Sequence, residues 1–357
     1  MLRGSTNYTL EQELGSGAYG TTYLAHGQDG ETYAIKKFKK EGSDELQIEH
    51  AALSTITSMC KNYATCFVES FKVGSDTYMV MDYIEGSDLA KIIFGPKGMH
   101  SRDPSKKLLK LEERRQIDIT QDLIDGLKML HSFGLVHQDI KAENLMYSDG
   151  RVKYIDFGLS CITDKATDIG YPVFGMSTNF PCGHAGSLAT ASPELFLWDS
   201  QNIRYKKFKP MTDQGIFPLS FIIAHDVWSI GCVIMSWYAH GDSQDEHFSA
   251  YALTLNNTNF AKTFEELEER FPKYYNIIVS LFDRDPISRL DSFDSGNVSV
   301  PNWNDNSVTL DARQYLRDWR CKSKSISTLD FGEDCETVIA APVTVPKVEI
   351  LLDDYGY

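Results

Sequence analysis

The chain of 357 residues is 42% hydrophobic, 12% aromatic and 24% charged, and it carries a formal net charge of −15. This composition is typical of a soluble globular protein with a substantial core. The negative charge disfavours nucleic acids and anionic membranes as partners, because their phosphate groups would be repelled at long range. The N-terminus has no apolar signal-peptide core, and the longest apolar stretch, residues 227–238, is too short to span a bilayer. We therefore expect a cytoplasmic protein.

Seven cysteines are scattered along the chain. Their odd number and the lack of paired CxxC spacing predict free thiols in a reducing compartment. Cys182 and His184 resemble half of a metal site, but no second pair at ligand spacing accompanies them in the sequence, which disfavours zinc.

Alternating polar and apolar residues in the N-terminal part predict a small sheet with one helix. The predicted strands lie at residues 9–25 (a hairpin around a glycine-rich turn), 31–38, 67–73 and 77–84. A helix follows the third strand, with Asp44 as its N-cap. Its apolar stripe includes Leu53 and Ile56, and Glu49 falls on that stripe, an unusual place for a carboxylate.

Beyond Gly86 the apolar spacing is mostly helical. A long amphipathic helix is predicted at residues 112–131, with short strands or turns around Leu135, Leu145 and Tyr154. Residues 227–238 are apolar nearly all round and predict a central buried helix. Further helices are predicted at residues 263–270, 273–282 and 309–319.

A glycine-rich motif of the form GxGxxG spans Gly15, Ser16, Gly17, Ala18, Tyr19 and Gly20. Dinucleotide-binding folds use the same spacing, but they need a helix directly after the last glycine. Thr21, Thr22 and Tyr23 are β-branched or aromatic and favour a strand instead. We therefore predict a strand–turn–strand unit whose backbone N–H groups cradle phosphates.

Lys36 lies in the predicted strand that follows the glycine motif. A lysine in an alternating strand usually faces solvent, whereas an unpaired buried carboxylate at Glu49 would be energetically expensive. An ion pair between Lys36 and Glu49 explains both the lysine in the strand and the carboxylate on the apolar stripe. It would hold the Lys36 ammonium within reach of nucleotide phosphates.

Several further motifs follow in order. They are His137-Gln138-Asp139-Ile140-Lys141-Ala142-Glu143-Asn144, Asp156-Phe157-Gly158, Ser192-Pro193-Glu194, the run from Asp226 to Gly231, and Arg289 in a DPxxR context. Together with the glycine motif and Lys36, they resemble the signature set of the eukaryotic protein kinase family over roughly residues 8–320. The resemblance implies an α+β, bilobal fold, with a small β-rich N-lobe at residues 8–82 and a larger, mainly α-helical C-lobe at 83–322. The acidic segment 323–357 is expected to be a flexible tail, either docked as a strand or solvated.

The resemblance also implies catalytic roles. Asp139 would orient the substrate hydroxyl and accept its proton, and Lys141 would neutralise the transferred phosphoryl group. Lys36, paired with Glu49, would position the ATP phosphates. Asp226 would open the buried helix and accept backbone hydrogen bonds, and Glu194 with Arg289 would form a buried ion pair.

Ligand binding is implied at a second set of residues. Asn144 and Asp156 would bind Mg²⁺, or Mn²⁺ in its place. Met81 would be the gatekeeper of the adenine site, and Asp88 would meet the ribose hydroxyls. The residues implied in ATP binding are Leu14, Gly15, Ser16, Gly17, Ala18, Tyr19, Gly20, Thr21, Thr22, Ala34, Lys36, Met81, Asp82, Tyr83 and Asp88.

Lys141, two residues after Asp139, marks serine/threonine kinases in this family. The implied function is transfer of the γ-phosphoryl group of ATP to serine or threonine hydroxyls of protein substrates, by a monomeric enzyme. Ser187 would bridge Asp139 and Lys141. The alternative is a pseudokinase or scaffold that binds nucleotide without transfer, but such a chain normally lacks one of the motif residues that are all present in this sequence.

Three departures from the family pattern are visible. Thr22 replaces a valine over the adenine, and Gln138 replaces an arginine that grips an activation-loop phosphate in many relatives. An insertion lies near residues 198–220. Basic stretches at 91–115 and 204–209 are interpreted as solvated faces rather than as docking surfaces for acidic partners.

Overall fold

The computed structural model describes residues 2–17, 19–39, 44–58, 60–94, 113–164, 169–171, 187, 190, 192, 219–238, 268–269, 272–283 and 286–295. These residues fall into two compact units. The first holds the described residues up to Ile162 together with Tyr171, and the second holds Thr163–Gly170 and the described residues from Ser187 onward.

The first unit begins with a six-stranded antiparallel sheet in the order β1-β2-β3-β4-β6-β5. Its strands are β1 Leu2–Arg3, β2 Asn7–Ser16, β3 Gly20–Gly27, β4 Thr32–Phe38, β5 Phe67–Val73 and β6 Asp76–Asp82. The predicted hairpin and the three later strands are present, each within a few residues of its predicted bounds. The register places Lys36 opposite Thr22 on one side and Met79 on the other, which fixes the lysine in the middle of the sheet.

One face of this sheet is packed with aromatic rings. Tyr8 is 1% exposed, stacks on Phe71 at 5.9 Å between ring centroids and meets the edge of Tyr33 at 5.3 Å. Ile35 and Val80 are completely buried in the same cluster. These residues form the core on this face of the sheet, and strand β6 is buried on its other face as well.

The short strand β1 was not predicted, and it changes the edge of the sheet. The Glu69 carboxylate on β5 accepts hydrogen bonds from the Ser5 backbone N–H at 2.9 Å, the Ser5 hydroxyl at 2.7 Å and the Tyr8 hydroxyl at 2.6 Å. These bonds tie the turn between β1 and β2 to β5, the opposite edge of the sheet. Gly4 is needed in this turn because an added Cβ would lie 2.7 Å from Glu69 and Phe71.

The helices of the first unit are α1 Asp44–Thr55, α2 Cys60–Tyr63, α3 Leu89–Phe94 and α4 Glu113–Ser132. Helix α1 begins at the predicted cap residue, and it buries Leu53 and Glu49. Helix α4 agrees with the prediction to one residue at each end and buries Leu123, Leu127 and Leu130 completely.

Short strands and one turn of 3-10 helix are described between Ser87 and Tyr171. They are β7 Ser87–Asp88, β8 Leu135–Val136, the 3-10 helix Ala142–Asn144, β9 Leu145–Ser148, β10 Arg151–Tyr154, β11 Cys161–Asp164 and β12 Ile169–Tyr171. The Tyr154 hydroxyl donates to the Leu123 carbonyl at 2.6 Å, and the Asp122 carboxylate accepts the Val152 N–H at 3.0 Å. Both bonds fasten β10 to α4, so the segment that follows β10 starts from a rigid base.

The prediction that the cysteines are free thiols is wrong for Cys60, Cys66 and Cys161. Cys60 and Cys66 form a disulfide with each other and are 2% and 7% exposed, and Cys161 is disulfide-bonded as well. The sequence spacing gave no sign of the bridge between Cys60 and Cys66, because the two cysteines are six positions apart and only the fold of α2 brings them together. Cys232 is buried and is not part of a disulfide. The cytoplasmic location stays a prediction, and it no longer has the support of the three disulfide-bonded cysteines.

The second unit contains three described helices, α5 Leu219–Tyr238, α6 Pro272–Ser280 and α7 Pro286–Ser295. Trp228 and Phe282 are completely buried and meet edge to face at 5.2 Å. A Cβ at Gly231 would lie only 3.0 Å from Phe282, so this glycine permits the close approach of α5 to the segment after α6. The Arg289 guanidinium is buried 5.1 Å from the Trp228 ring and donates to the carbonyls of Asp283 and Ala224.

The central buried helix extends further than predicted. It begins at Leu219. Asp226 therefore lies inside the helix, whereas the sequence predicted it at the start. The apolar residues before His225 continue the helix in the N-terminal direction. Helix α7 was not predicted, although Pro286 suits a first helical position.

Some predictions concern residues outside the described ranges, namely the helix at 309–319, the acidic segment 323–357, most of the 198–220 insertion and Glu194. Within the part of the chain that is described, no helix combines the length and the apolar character needed to cross a membrane.

Candidate active site

A cavity of about 440 Å³ opens in the first unit between the glycine turn, strands β4 and β6 and the segments around the 3-10 helix. The predicted site residues that line it are Leu14, Gly15, Ser16, Gly17, Tyr19, Gly20, Thr22, Ala34, Lys36, Glu49, Met81, Asp82, Tyr83, Asp88, Asn144 and Asp156. Thr21 does not line the cavity, because alternation along β3 turns it away from Thr22. Ala18 lies outside the described residues.

The glycine turn joins β2 to β3 and forms one wall of the cavity. The Gly17 N–H donates to the Gly20 carbonyl at 2.9 Å, which closes the turn. A Cβ at Gly20 would approach the Lys37 carbonyl within 2.5 Å, so only glycine fits against β4 there. The motif is followed by a strand, as predicted, and not by the helix of a dinucleotide-binding fold.

Lys36 lies between two carboxylates. Its Nζ is 2.7 Å from Glu49 Oε2 and 2.8 Å from Asp156 Oδ1. The side chain of Glu49 is 1% exposed, and that of Lys36 is 9% exposed. The pair expected from the odd placement of Glu49 is present, and Asp156 is a second partner.

Burial and charge act in opposite directions on the pKa values of this group. Burial alone would lower the pKa of Lys36, but the charges of Glu49 and Asp156 outweigh it and raise the pKa, so the ammonium stays protonated. Burial likewise opposes ionisation of Asp156, yet the Lys36 charge holds the pKa of this carboxyl below its usual value. The site therefore holds a fixed cation beside an ionised carboxylate.

A second charged group is centred on Asp139. Lys141 Nζ donates to Asp139 Oδ2 at 2.7 Å, and Asn144 Nδ2 donates to the same oxygen at 3.0 Å and to the Asp139 carbonyl at 2.8 Å. The carboxylate of Asp139 is thus held in one orientation by two donors. Asp139 and Lys141 stand next to the cavity-lining Asn144 without lining the cavity themselves.

The backbone around these groups is held by buried polar contacts. His137 Nε2 lies 3.1 Å from the Ile155 carbonyl, and the His137 ring packs on Phe157 at 4.9 Å. Asp156 has φ of 60° and Gln138 has φ of 66°, a region that non-glycine residues enter infrequently. Such strain persists only where surrounding contacts impose it, and it is concentrated at functional sites.

Gln138 makes a contact that the sequence did not predict. Its Nε2 donates to the Leu159 carbonyl at 2.7 Å. The residue that replaces arginine therefore binds the backbone of the segment after Gly158 directly.

Seven cavity residues were not predicted from the sequence, namely Thr65, Ile84, Gly86, Lys91, Glu143, Met146 and Ile155. Most lie within a few residues of a predicted motif, so sequence proximity alone could have indicated them. Thr65 had no such signal. It reaches the site because its hydroxyl donates to the Asp82 carbonyl at 3.2 Å, while the Asp82 N–H donates to the Cys66 carbonyl at 3.0 Å.

Asp88, predicted to meet the ribose, is already engaged by Lys91. Its Oδ1 accepts the Lys91 N–H at 2.8 Å, and its Oδ2 lies 2.8 Å from Lys91 Nζ. The first contact caps α3, and both residues line the cavity. Oδ2 keeps acceptor capacity for a further hydroxyl.

The segment that carries Ser187 belongs to the second unit and is described there at Ser187, Thr190 and Ser192. The Thr190 N–H donates to the Ser187 carbonyl at 3.1 Å, and the Ser229 hydroxyl donates to the Thr190 carbonyl at 2.8 Å. The Ser192 N–H points to His225 Nδ1 at 3.3 Å. Helix α5 thus anchors this segment, while the bridge from Ser187 to Asp139 and Lys141 stays a prediction.

Comparison with known proteins agrees with this geometry. A family model described as the protein kinase domain matches residues 8–206, more than half of the chain. The chain belongs to the eukaryotic-type serine/threonine protein kinase superfamily.

Similar curated proteins are serine/threonine kinases or protein kinase C enzymes at low identity. Protein kinase C delta type of Rattus norvegicus is 25% identical over 338 residues, which cover 90% of this chain and 42% of that protein. Serine/threonine-protein kinase ATG1 of Kluyveromyces lactis is 25% identical over 352 residues, 90% of this chain and 39% of its own length. Serine/threonine-protein kinase PKH2 of Candida albicans is 26% identical over 247 residues, 66% of this chain and 22% of its own length. The chain therefore spans less than half the length of these relatives.

Protein kinases generally use ATP and Mg²⁺, and the residues present fit both. The cavity combines an apolar wall, glycine backbone amides and the Lys36 ammonium, a combination suited to a nucleotide with phosphates. Asp156 offers an ionised carboxylate, and Asn144 uses its amide nitrogen on Asp139, which leaves the amide oxygen as a ligand for a hard cation.

Proposed function

We propose that this protein is an active serine/threonine kinase that transfers the γ-phosphoryl group of ATP to hydroxyl groups of protein substrates. The observation that carries the proposal is the presence of two clusters of paired polar and charged side chains at the site. Lys36, Glu49 and Asp156 form one, and Lys141, Asp139 and Asn144 form the other.

Each group has a distinct task in this proposal. Phosphoryl transfer depends on positioning and on neutralising negative charge more than on covalent chemistry of the protein. Asp139 is oriented by Lys141 and Asn144, so its carboxylate is positioned to accept the proton of a substrate hydroxyl. Lys141 supplies positive charge beside that hydroxyl, and Lys36 supplies it to the ATP phosphates. Asn144 and Asp156 would hold Mg²⁺, which neutralises phosphate charge when bound.

The finer parts of the proposal rest on the family resemblance. We infer a bilobal arrangement with the lobes at residues 8–82 and 83–322, and a monomeric, cytoplasmic enzyme. Serine and threonine are the proposed acceptors because Lys141 follows Asp139 at the spacing of serine/threonine kinases. The relatives' own names support this class of acceptor.

The rival function is that of a pseudokinase that binds nucleotide without transfer. A phosphotransfer assay with labelled ATP, Mg²⁺ and a mixture of basic and acidic protein substrates distinguishes the two. Mass spectrometry of the products should find phosphoserine and phosphothreonine. Binding of ATP without any transfer would support the pseudokinase, and a majority of phosphotyrosine would contradict the proposed acceptor.

The matched variant for this assay is Asp139→Asn. We expect kcat to fall by about 10²–10⁴-fold, as is typical when a positioned general base is removed. ATP affinity should be unchanged, because Asp139 does not line the cavity. Turnover near that of the wild type would show that Asp139 is not the base.

A further inference from the structure

Lys39 follows β4 and makes two contacts with the glycine turn that none of the roles above explains. Its Nζ donates to the Gly17 carbonyl at 2.6 Å, and its backbone N–H donates to the Tyr19 carbonyl at 3.1 Å. Gly17 and Tyr19 line the cavity, whereas Lys39 is exposed and does not line it. Lys39 therefore holds the turn from outside the nucleotide site.

Two glycines of the turn, Gly15 and Gly17, border open space. A Cβ added at Gly15 or Gly17 would meet nothing within 4 Å. Polar contacts across the turn include the Gly17 to Gly20 hydrogen bond, the 3.0 Å contact between the hydroxyls of Ser16 and Thr21, and the two contacts from Lys39. A bond to an ammonium is stronger than a bond between neutral groups.

The direction of the Gly17 carbonyl matters for binding phosphate. A carbonyl oxygen is the negative end of the peptide dipole, and it would repel a phosphate if it pointed into the site. The Gly17 carbonyl oxygen accepts a hydrogen bond from Lys39 Nζ, and Lys39 does not line the cavity. The lysine thereby also places a positive charge behind the turn.

We propose that Lys39 is a positioning residue that keeps the glycine turn in its phosphate-binding conformation. This inference rests on the proposed ATP-binding function and adds to it a residue outside the cavity. It specifies that the lysine acts on the phosphate part of the nucleotide and not on the adenosine part.

Binding of ADP and of adenosine to the full chain tests the inference. In Lys39→Met the dissociation constant for ADP should rise by about three- to tenfold, the net value of one hydrogen bond. The constant for adenosine should stay within the error of the measurement, because adenosine has no phosphate to meet the turn. Lys39→Arg keeps a charged donor and should recover most of the ADP affinity.

Lys37→Met is the matched control, because it removes the same charge two residues away. Lys37 Nζ pairs with Asp76 at 2.6 Å and lies 5.9 Å from the Tyr78 ring. Its loss should leave ADP affinity unchanged. Hydrogen exchange without ligand gives a second measurement, in which the amide of Gly17 should exchange faster in Lys39→Met than in Lys37→Met.

Each contrary result has a distinct meaning. Equal losses for ADP and adenosine would overturn the inference and indicate a general effect on the sheet. Equal losses of ADP affinity in Lys37→Met and Lys39→Met would show that only the net charge matters. If ADP affinity and the exchange rate of the Gly17 amide were both unchanged in Lys39→Met, the contact would have no role. Failure of the wild-type protein to bind ADP or ATP would reject the proposed function and this inference with it.

Discussion

The charged side chains of the candidate active site form ion pairs with one another. Lys36 neutralises Glu49, which is 1% exposed, so a substitution of Lys36 would leave a buried carboxylate without its cation. Such a variant would lose stability as well as activity. Asp139 is the better residue for separating chemistry from folding, because Asn at this position can still accept from Lys141 and Asn144.

Glu69 gives a prediction for the dependence of stability on pH. Burial would raise the pKa of this carboxyl, but hydrogen bonds from Tyr8 and Ser5 outweigh burial and lower it. A lowered pKa in the folded state stabilises the protein above the ordinary value of 4.5, and the contribution is lost as the pH falls through the folded pKa. Glu69→Gln should therefore lower the free energy of unfolding at pH 7 by about 1–2 kcal/mol, with a smaller difference near pH 4.

Chemical denaturation of both proteins across this pH range measures the effect. Glu13→Gln on β2 is the control, because Glu13 is exposed and its loss should change stability little at either pH. A difference between wild type and Glu69→Gln that does not shrink in acid would show that the ionised carboxylate is not what ties β5 to the first turn.

At the level of elements, the disulfide fixes the short segment that carries Thr65 to the site. Cys60 begins α2, and Cys66 precedes β5. Between them the Thr65 N–H donates to the Tyr154 carbonyl at 3.1 Å, and the Cys66 carbonyl accepts from Asp82. The bridge therefore limits the freedom of a segment that touches both β6 and β10.

Opening this disulfide should destabilise the fold. Closing a loop of this length restricts the unfolded chain by about 2 kcal/mol in the chain-entropy account, so Cys60→Ala should lower the free energy of unfolding by roughly that amount. The double variant with Cys66→Ala should be no less stable than the single one, because either substitution opens the ring. Thiol labelling of the native wild-type protein is the complementary measurement, and rapid labelling of both cysteines would contradict the bridge.

Apolar spacing predicted several elements of the first unit. The helix carrying Leu127 has apolar residues at helical spacing, and the strand carrying Val80 is a short apolar run that is buried on both faces, so the bounds of both followed from the sequence. Strand β1 did not, because two residues have no readable period and depend on Glu69, more than sixty positions away. The start of α5 was placed too late because a polar Asp226 was taken for a boundary, although the fold buries it completely within the helix.

The candidate site was easier to predict than the fold around it. Its chemistry requires particular residue types at fixed spacings, so Lys36, Asp139 and Asp156 stood out in the sequence. The sequence does not indicate which groups from distant segments of the chain contact these and neighbouring site residues. The contacts of Lys39 with Gly17, of Thr65 with Asp82 and of Gln138 with Leu159 arise only when the chain has folded.

At the level of the whole molecule, Gln138 bears on whether kinase activity depends on phosphorylation of the loop after Gly158. An arginine at this position could bind a phosphate through two charge-assisted hydrogen bonds, whereas glutamine offers uncharged donors. In the structure one of those donors is already bound to the Leu159 carbonyl at 2.7 Å, so the start of the loop after Gly158 is held without a phosphate. A phosphate would add a charge of about −1.5 to −2 near Asp139 and Asp156 without a matching cation at Gln138.

We therefore predict that the enzyme is active without phosphorylation between residues 159 and 186. The purified protein would be treated with phosphatase, shown by mass spectrometry to be unmodified in this loop, and assayed for its initial rate against an untreated sample. The two rates should agree. Gln138→Arg is the informative variant, because it restores a cation that can bind phosphate and should make the rate depend on phosphatase treatment. A loss of more than about tenfold in the treated wild-type enzyme, equivalent to roughly 1.4 kcal/mol in the barrier, would refute the prediction and point to a different cation that binds a loop phosphate.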